Sequence, residues 1–218
     1  MDTTFIIDSS VCDDSRNWNR LLYFVQTLVN YFNVSSSGGR IALITFSTDA
    51  KAVLKFNTLS GSFLNSAEIN RLVGSLQCQQ GYRRIDKALD LADKEVLSPT
   101  GGVRDVSKPI LVITTGKQTK NQGVYMPLDI ASSRLQSKGA VVFVVGIGND
   151  VEESELNDIA SSPKDVFRVD SHKELYSIAD AAKRGICIIV PTATAKVTTP
   201  SPTTPGISML QCSIQSGL

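Results

Sequence analysis

At 218 residues the chain can hold one α/β domain of ordinary size plus an appendage. Its 42% hydrophobic and 20% charged content is that of a globular protein with a proper core. With 22 basic against 21 acidic residues the formal charge is +1, which leaves no electrostatic footprint for nucleic acid and no reason to expect an anionic membrane as main partner.

The chain then reads as strands alternating with helices. "TFIID" (residues 4–8) is an apolar run too short for a helix. "WNRLLYFVQTLVNYF" places Leu21, Leu22, Val25, Leu28, Val29 and Phe32 at helical spacing, behind the N-cap candidates Asp13, Asp14 and Ser15. After the turn "SSSGGR", "IALITF" and "AVLKF" predict two strands joined by the hairpin connection "STDA". Asn65 with Glu68 has capping-box spacing and opens a helix to about Leu76. "RIDKALDLADKEVL" carries Ile85, Ala88, Leu89, Ala92 and Val96 on one face and predicts a second helix. "PILVITT" and "AVVFVVGIG" are nearly unbroken β-branched runs, the pattern of central strands covered on both faces. A helix over residues 127–138 separates them. "DVEESELNDIA" predicts a helix capped by Asp150, "VFRV" a short strand, and Ser171 with Glu174 a capping box before a last helix to about Arg184.

The order β-α-β-β-α-α-β-α-β-α-β-α implies an α/β fold: a doubly wound, mostly parallel sheet with one antiparallel edge strand and helices on both faces. The domain is expected over residues 1–190, with residues 191–218 a Thr/Pro-rich linker or tail. Ligands of such sheets sit beyond the carboxyl ends of the strands. Three loops are therefore singled out: after Asp8, around residues 81–84, and after Thr114.

No apolar run approaches the roughly 20 residues that span a bilayer, and no basic-then-apolar leader is visible. The four cysteines, Cys12, Cys78, Cys187 and Cys212, form no C-x-x-C, and His172 is the sole histidine, so a zinc cage is not expected. Four cysteines are compatible with two disulfides or with four thiols. Asn33-Val34-Ser35 is an N-glycosylation sequon, and the Thr/Pro stretch has the composition of an extracellular O-glycosylated linker. Together these favour a secreted, extracellular protein.

"FIIDSS", the first amphipathic helix with its early Trp18, "RIALITFS", "RRIDKALDLA", "KPILVITTGK", "GAVVFVVGIG" and "ELNDIASSP…VFRVDSHKEL" follow one another in a known order. In that ordered set the chain resembles a von Willebrand factor type A domain over about residues 3–187. The resemblance implies the fold derived above and a metal-ion-dependent adhesion site. That site uses Asp-x-Ser-x-Ser after the first strand, a threonine in the second loop and an aspartate after the fourth strand.

Asp8 and Ser10 match the motif, but Cys12 stands at its second serine, Arg83 at its threonine and Thr115 at its aspartate. A thiol is a poor ligand for a hard cation, an arginine repels one, and Thr115 removes a neutralising carboxylate. No metal is therefore expected, Mg²⁺ being disfavoured, and Asp8 and Ser10 would be its ligands if one bound. Either the loop end is a plain solvated surface, or Arg83 pairs bidentately with Asp8 where the metal would sit. Cys12 and Cys78 fall in neighbouring loops of the implied fold. They are expected either to form a disulfide or to remain two reduced thiols. Cys187 has Cys212, or a cysteine elsewhere, as its candidate partner.

The resemblance implies a non-enzymatic module that binds a protein ligand, collagen or another matrix chain, without metal. The expected face is the loop end carrying Asp8, Ser9, Ser10, Cys12, Arg83, Arg84, Thr115 and Lys117, or a sheet edge as in some members of the family. The alternatives are a self-associating module of matrix assembly and a metal-dependent adhesion receptor. Nothing marks Ser9 or Ser10 as a nucleophile, no Gly-x-Gly-x-x-Gly follows the first strand, and His172 is expected on the surface in the first turn of a helix. "RDVSK" and "KQTKNQ" are expected to be solvated loops.

Overall fold

The structure, a computed structural model, describes residues 1–188. The Thr/Pro stretch, the remaining tail and the pairing of Cys187 with Cys212 lie outside the described residues.

Six strands and six helices follow in the order read from the sequence: β1 Asp2–Asp8, α1 Ser15–Asn30, β2 Arg40–Phe46, β3 Ala50–Leu54, α2 Ser66–Gly74, α3 Ile85–Leu91, β4 Lys108–Thr114, α4 Leu128–Ser137, β5 Ala140–Ile147, α5 Glu153–Ile159, β6 Val166–Val169 and α6 Ala179–Ile188. They build one sheet in the order β3-β2-β1-β4-β5-β6. All pairings are parallel except β2 with β3, which is antiparallel.

The sheet has a core on each face. Alternate residues of the central strands, Phe5 and Ile7, Leu43, Leu111 and Ile113, pack against α1, α2 and α6. Their neighbours Ile6, Ile44, Val112 and Val144 pack against α3, α4 and α5. The period of two in a strand places residues on both faces, and double coverage explains the unbroken apolar runs at residues 5–7, 109–113 and 140–145.

Local chemistry fixes the ends of the helices. Asp14 caps α1 by accepting from Arg16 N at 2.8 Å, and Asn65 caps α2 by accepting from Glu68 N at 2.9 Å. The Glu68 side chain does not complete the box but reaches Arg71. Three expected helices differ, the last being a 3-10 segment, His172–Ile178, that turns α-helical only from Ala179. The α5 cap position is Glu152, without a side-chain bond: the helix begins at Glu153, so Asp150 lies two residues before the cap, where its backbone carbonyl accepts from Lys117 N at 3.0 Å. The helix expected over "RIDKALDLADKEVL" is α-helical only to Leu91 and continues as a π-helical turn, Ala92–Val96.

"RDVSK" is not simply solvated. Arg104 donates from its backbone N and from Nε to Asp2 at 2.8 and 3.0 Å, and Arg40 Nη2 donates to the same carboxylate at 2.9 Å. Burial alone would raise the Asp2 pKa, but hydrogen bonds from Arg104 and then Arg40 outweigh it and hold the carboxyl below its ordinary value. This cluster staples the start of β1 to β2 and to the segment before β4.

Candidate functional site

β1 lies between β2 and β4, and the chain leaves it in one direction to reach β2 and enters β4 on the other side. That reversal opens a crevice at the carboxyl ends of β1 and β4. Ile7 is registered opposite Ile113, so the next residues, Asp8 and Thr114, meet at the top of the sheet.

Asp8 is the hub, with its side chain fully buried. Its Oδ1 accepts from Ser10 N at 2.9 Å and Ser10 Oγ at 2.6 Å. Its Oδ2 accepts from Thr115 N at 2.9 Å, Thr115 Oγ1 at 2.9 Å, Thr114 Oγ1 at 3.2 Å and Arg83 Nε at 3.0 Å. A buried carboxylate needs both hydrogen bonds and a countercharge, and Arg83 is the cation in contact with it.

Arg83 is aimed from two sides. Its backbone N donates to Thr119 Oγ1 at 3.0 Å while its carbonyl accepts from Thr119 N at 2.8 Å. Its Nη2 donates to Thr115 Oγ1 at 3.3 Å. The expected bidentate pair is thereby corrected: one nitrogen takes Asp8 and a second takes Thr115, because Thr115 stands between the guanidinium fork and the carboxylate. Gly116 makes the space, since a Cβ there would lie 2.8 Å from Arg83 Cζ.

Cys12 and Cys78 form a disulfide, with Cα atoms 5.8 Å apart. It ties the loop after β1 to the segment after α2, and Ser9 O accepts from both Gln79 N and Gln80 N at 3.0 Å beside it. Gln80 takes a positive φ of 56° there, uncommon for a residue with a side chain.

The expected face is only partly a surface. Ser9 is buried, donating from Oγ to Phe46 O at 2.9 Å. Arg84 is buried in a pair with Asp86, with Nε–Oδ1 2.9 Å and Nη2–Oδ2 2.8 Å. Both were expected to face a ligand; both are structural instead. Asp8 and Ser10 are buried too. Arg83, Thr115 and Cys12 are half-buried, and Lys117 is exposed.

"KQTKNQ" is likewise anchored rather than loose. Gln118 is buried, its N donating to Glu155 Oε2 at 2.6 Å and its Nε2 to Asp86 Oδ1 at 2.5 Å. Lys120 pairs with Glu155 at 2.8 Å.

His172 is half-buried at the start of the 3-10 segment His172–Ile178, facing a cleft beside α1. Burial, and then the nearby Arg20, lower its pKa. Sequence reasoning missed this placement, since the cleft forms between elements some 150 residues apart in the chain. No hydrogen bond joins His172 to a hydroxyl or thiol among the described residues.

Asp8 and Ser10 stand where the motif places oxygen ligands, but the rest of the donor set does not fit a divalent cation. The second serine position is locked in a disulfide, the threonine position supplies a cation, and the last position supplies a neutral hydroxyl.

Residues 2–181 match the von Willebrand factor type A domain, and the chain belongs to that family. It is 27% identical over 189 residues to von Willebrand factor A domain-containing protein 2 of Xenopus laevis, covering 86% of this chain and 22% of that protein. It is 27% identical over 205 residues to integrin alpha-X of Mus musculus (91% and 17%). To matrilin-2 of Mus musculus it is 25% identical over 193 residues (86% and 19%). The chain thus spans less than a quarter of the length of these relatives, which are matrix and adhesion proteins. Proximal thread matrix protein 1 from the mussel byssus has the same fold, with a TM-score of 0.76 at 25% identity over 85% of this chain and 46% of that one. A further structure of that mussel protein, at 24% identity and a TM-score of 0.75 over 85% of this chain and 45% of that one, has a zinc-occupied MIDAS motif.

Proposed function

We propose that this chain is an extracellular, non-enzymatic module of a larger matrix or adhesion protein that binds a protein ligand, collagen or another matrix chain, without metal. One observation carries the reading. The Arg83 guanidinium sits on the buried Asp8 carboxylate, supplying from within the chain the positive charge that a metal ion supplies in the adhesion site of the family. A divalent ion entering there would meet a fixed cation already bonded to the Asp8 carboxylate.

Recognition then falls to the exposed rim of the loop end. Val11, Tyr82 and Lys117 are exposed around the half-buried Arg83 and Thr115. The anchoring of the "KQTKNQ" loop holds this rim rigid, which limits the ordering cost of binding. The disulfide and the matrix relatives support an oxidising, extracellular setting. The sequon residue Asn33 is exposed and open to glycosylation.

The test is a pair of titrations. Calorimetry with Mg²⁺ and Mn²⁺ is expected to give no saturable heat at millimolar metal. Immobilised collagens and other fibrous matrix proteins, probed in EDTA, are expected to retain the chain. Saturable metal binding, or no affinity for any fibrous matrix protein, would overturn the reading.

A further inference from the structure

Between the first turns of α1 and the segment His172–Ile178 lies a cleft with two lobes that share Arg16, Arg20, His172 and Lys173. The inner lobe, about 530 Å³, reaches Arg83 and Thr115 but also carries Asp14, Asp150 and Asp170. The outer lobe, about 610 Å³, has no acidic residue in its lining.

The outer lobe is built unlike an ordinary patch of surface. Its floor is apolar, with Phe24 and Leu175 each 1% exposed. Its rim carries two large aromatic side chains left open to solvent, Tyr23 at 60% and Tyr176 at 66% exposure. Its cations are under-used. Arg16 is paired with Asp14, but Arg20 makes one hydrogen bond, Nη1 to Asn17 Oδ1 at 2.9 Å. Neither Arg20 nor Lys173 has a carboxylate within ion-pair distance among the described residues.

We propose that this outer lobe binds an acidic segment of a partner protein, its carboxylate received by Arg20 and Lys173 and an adjacent aromatic or aliphatic side chain seated between Tyr23 and Tyr176. The inference rests on the reading of this end of the domain as a protein-recognition surface, and names the chemistry it selects. Charge complementarity sets the occupant: cations over an apolar floor favour a carboxylate next to a hydrophobic group. Residues 189–218 of this chain contain neither Asp nor Glu, so their charge does not match the lobe and another chain does. The half-buried, largely neutral His172 beside Arg20 adds a hydrogen-bonding group without adding a competing anion.

The probe is a synthetic pentapeptide in which two glutamates flank a phenylalanine, with its glutamine isostere as the control. The readout is the amide NMR spectrum of the full chain. The acidic peptide is expected to shift the resonances of residues 16–24 and 171–176 saturably, and the isostere to bind at least about fivefold more weakly, the upper range of one partly exposed ion pair. Lys173→Glu, at an exposed position, and Arg20→Glu are each expected to weaken the acidic peptide by at least that factor. Raising salt from 0.05 to 0.5 M should do the same.

Equal binding of both peptides, shifts confined to the Arg83 and Lys117 loops, or self-association abolished by Arg20→Glu would overturn the proposal, the last by assigning the lobe to a second copy. If Arg20→Glu still binds fibrous matrix proteins and the parent chain ignores the peptide, this inference falls and the recognition reading stands. Peptide binding without any matrix affinity has the opposite meaning.

Discussion

Replacing Arg83 by threonine tests the central contact of the site. The Asp8 carboxylate is fully buried and Arg83 is 15% exposed, so the pair is screened far less than a surface bridge. Removing one partner of a buried ion pair costs about 3–5 kcal/mol where the remaining charge has no other support. Here Asp8 keeps donors from Ser10, Thr114 and Thr115, which lowers the expected loss to about 2–3 kcal/mol. For a domain of this size that is a fall in Tm of roughly 5–10 °C. Urea unfolding followed by circular dichroism gives the number directly. Adding Thr115→Asp returns a carboxylate to the vacated space, and 10 mM Mg²⁺ is expected to stabilise that double variant by about 1.4 kcal/mol if it binds with a Kd of about 1 mM. The parent chain should not respond. An Arg83→Thr variant as stable as the parent, or a parent stabilised by Mg²⁺, would refute the view of Arg83 as the built-in counterion.

The Cys12–Cys78 bond spans a separation of 66 residues, and in the chain-entropy model such a loop contributes about 4 kcal/mol. Cys12→Ala/Cys78→Ala is expected to lose most of it by the same urea assay; a loss below about 1 kcal/mol would show that the unfolded chain is already constrained there. His172, as the single histidine, gives one imidazole resonance to follow by NMR. Its pKa is expected below 6.5 through burial and the nearby Arg20. In the folded state the proton is therefore bound less readily than in the unfolded state. Stability attributable to this group is present above pH 6.5 and lost as the pH falls from 6.5 through the folded pKa. Arg20→Gln should raise the value, and a resonance titrating at or above 6.5 would contradict the placement of His172 in the cleft.

The fold was legible because its signals are local. Strands covered on both faces leave β-branched runs such as "ILVIT" and "VVFVV", and helices with one buried face leave apolar residues at a period near 3.6. Family spacing placed Asp8, Cys12, Arg83 and Thr115 at one loop end, where Asp8, Arg83 and Thr115 are in hydrogen-bond contact. What escaped was set by partners far away in the chain. Arg104 looked solvated because its carboxylate partner, Asp2, is 102 residues distant. Ser9 and Arg84 looked available because their ties to Phe46 and to the loop after β4 are tertiary. The α-helical form of α3 ends early, and Lys138 Nζ bonds to Asp93 O at 2.5 Å within the π-helical turn that follows, a contact with no trace in local periodicity. Asp150 had the right chemistry for a cap, but α5 begins at Glu153 and leaves it two residues outside the cap position.

The three departures from the metal-site pattern hang together physically. An arginine at position 83 needs room, which Gly116 gives, and it needs an acceptor for its second nitrogen, which is Thr115. An aspartate at 115 would offer Arg83 a second carboxylate, but beside Asp8 it would also place two anions against one cation, and one pKa would rise. Threonine instead donates a hydrogen bond to Asp8 while accepting one from Arg83, so the charges balance one to one. Cys12, at the motif's second serine position, is bonded to Cys78, and the bond fixes the loop after β1. The countercharge, the geometry of the third loop and the rigidity of the first are thus each supplied by covalent chain. On the proposed metal-free reading, the site holds its shape as an intrinsic property of the polypeptide, independent of the concentration of any free cation.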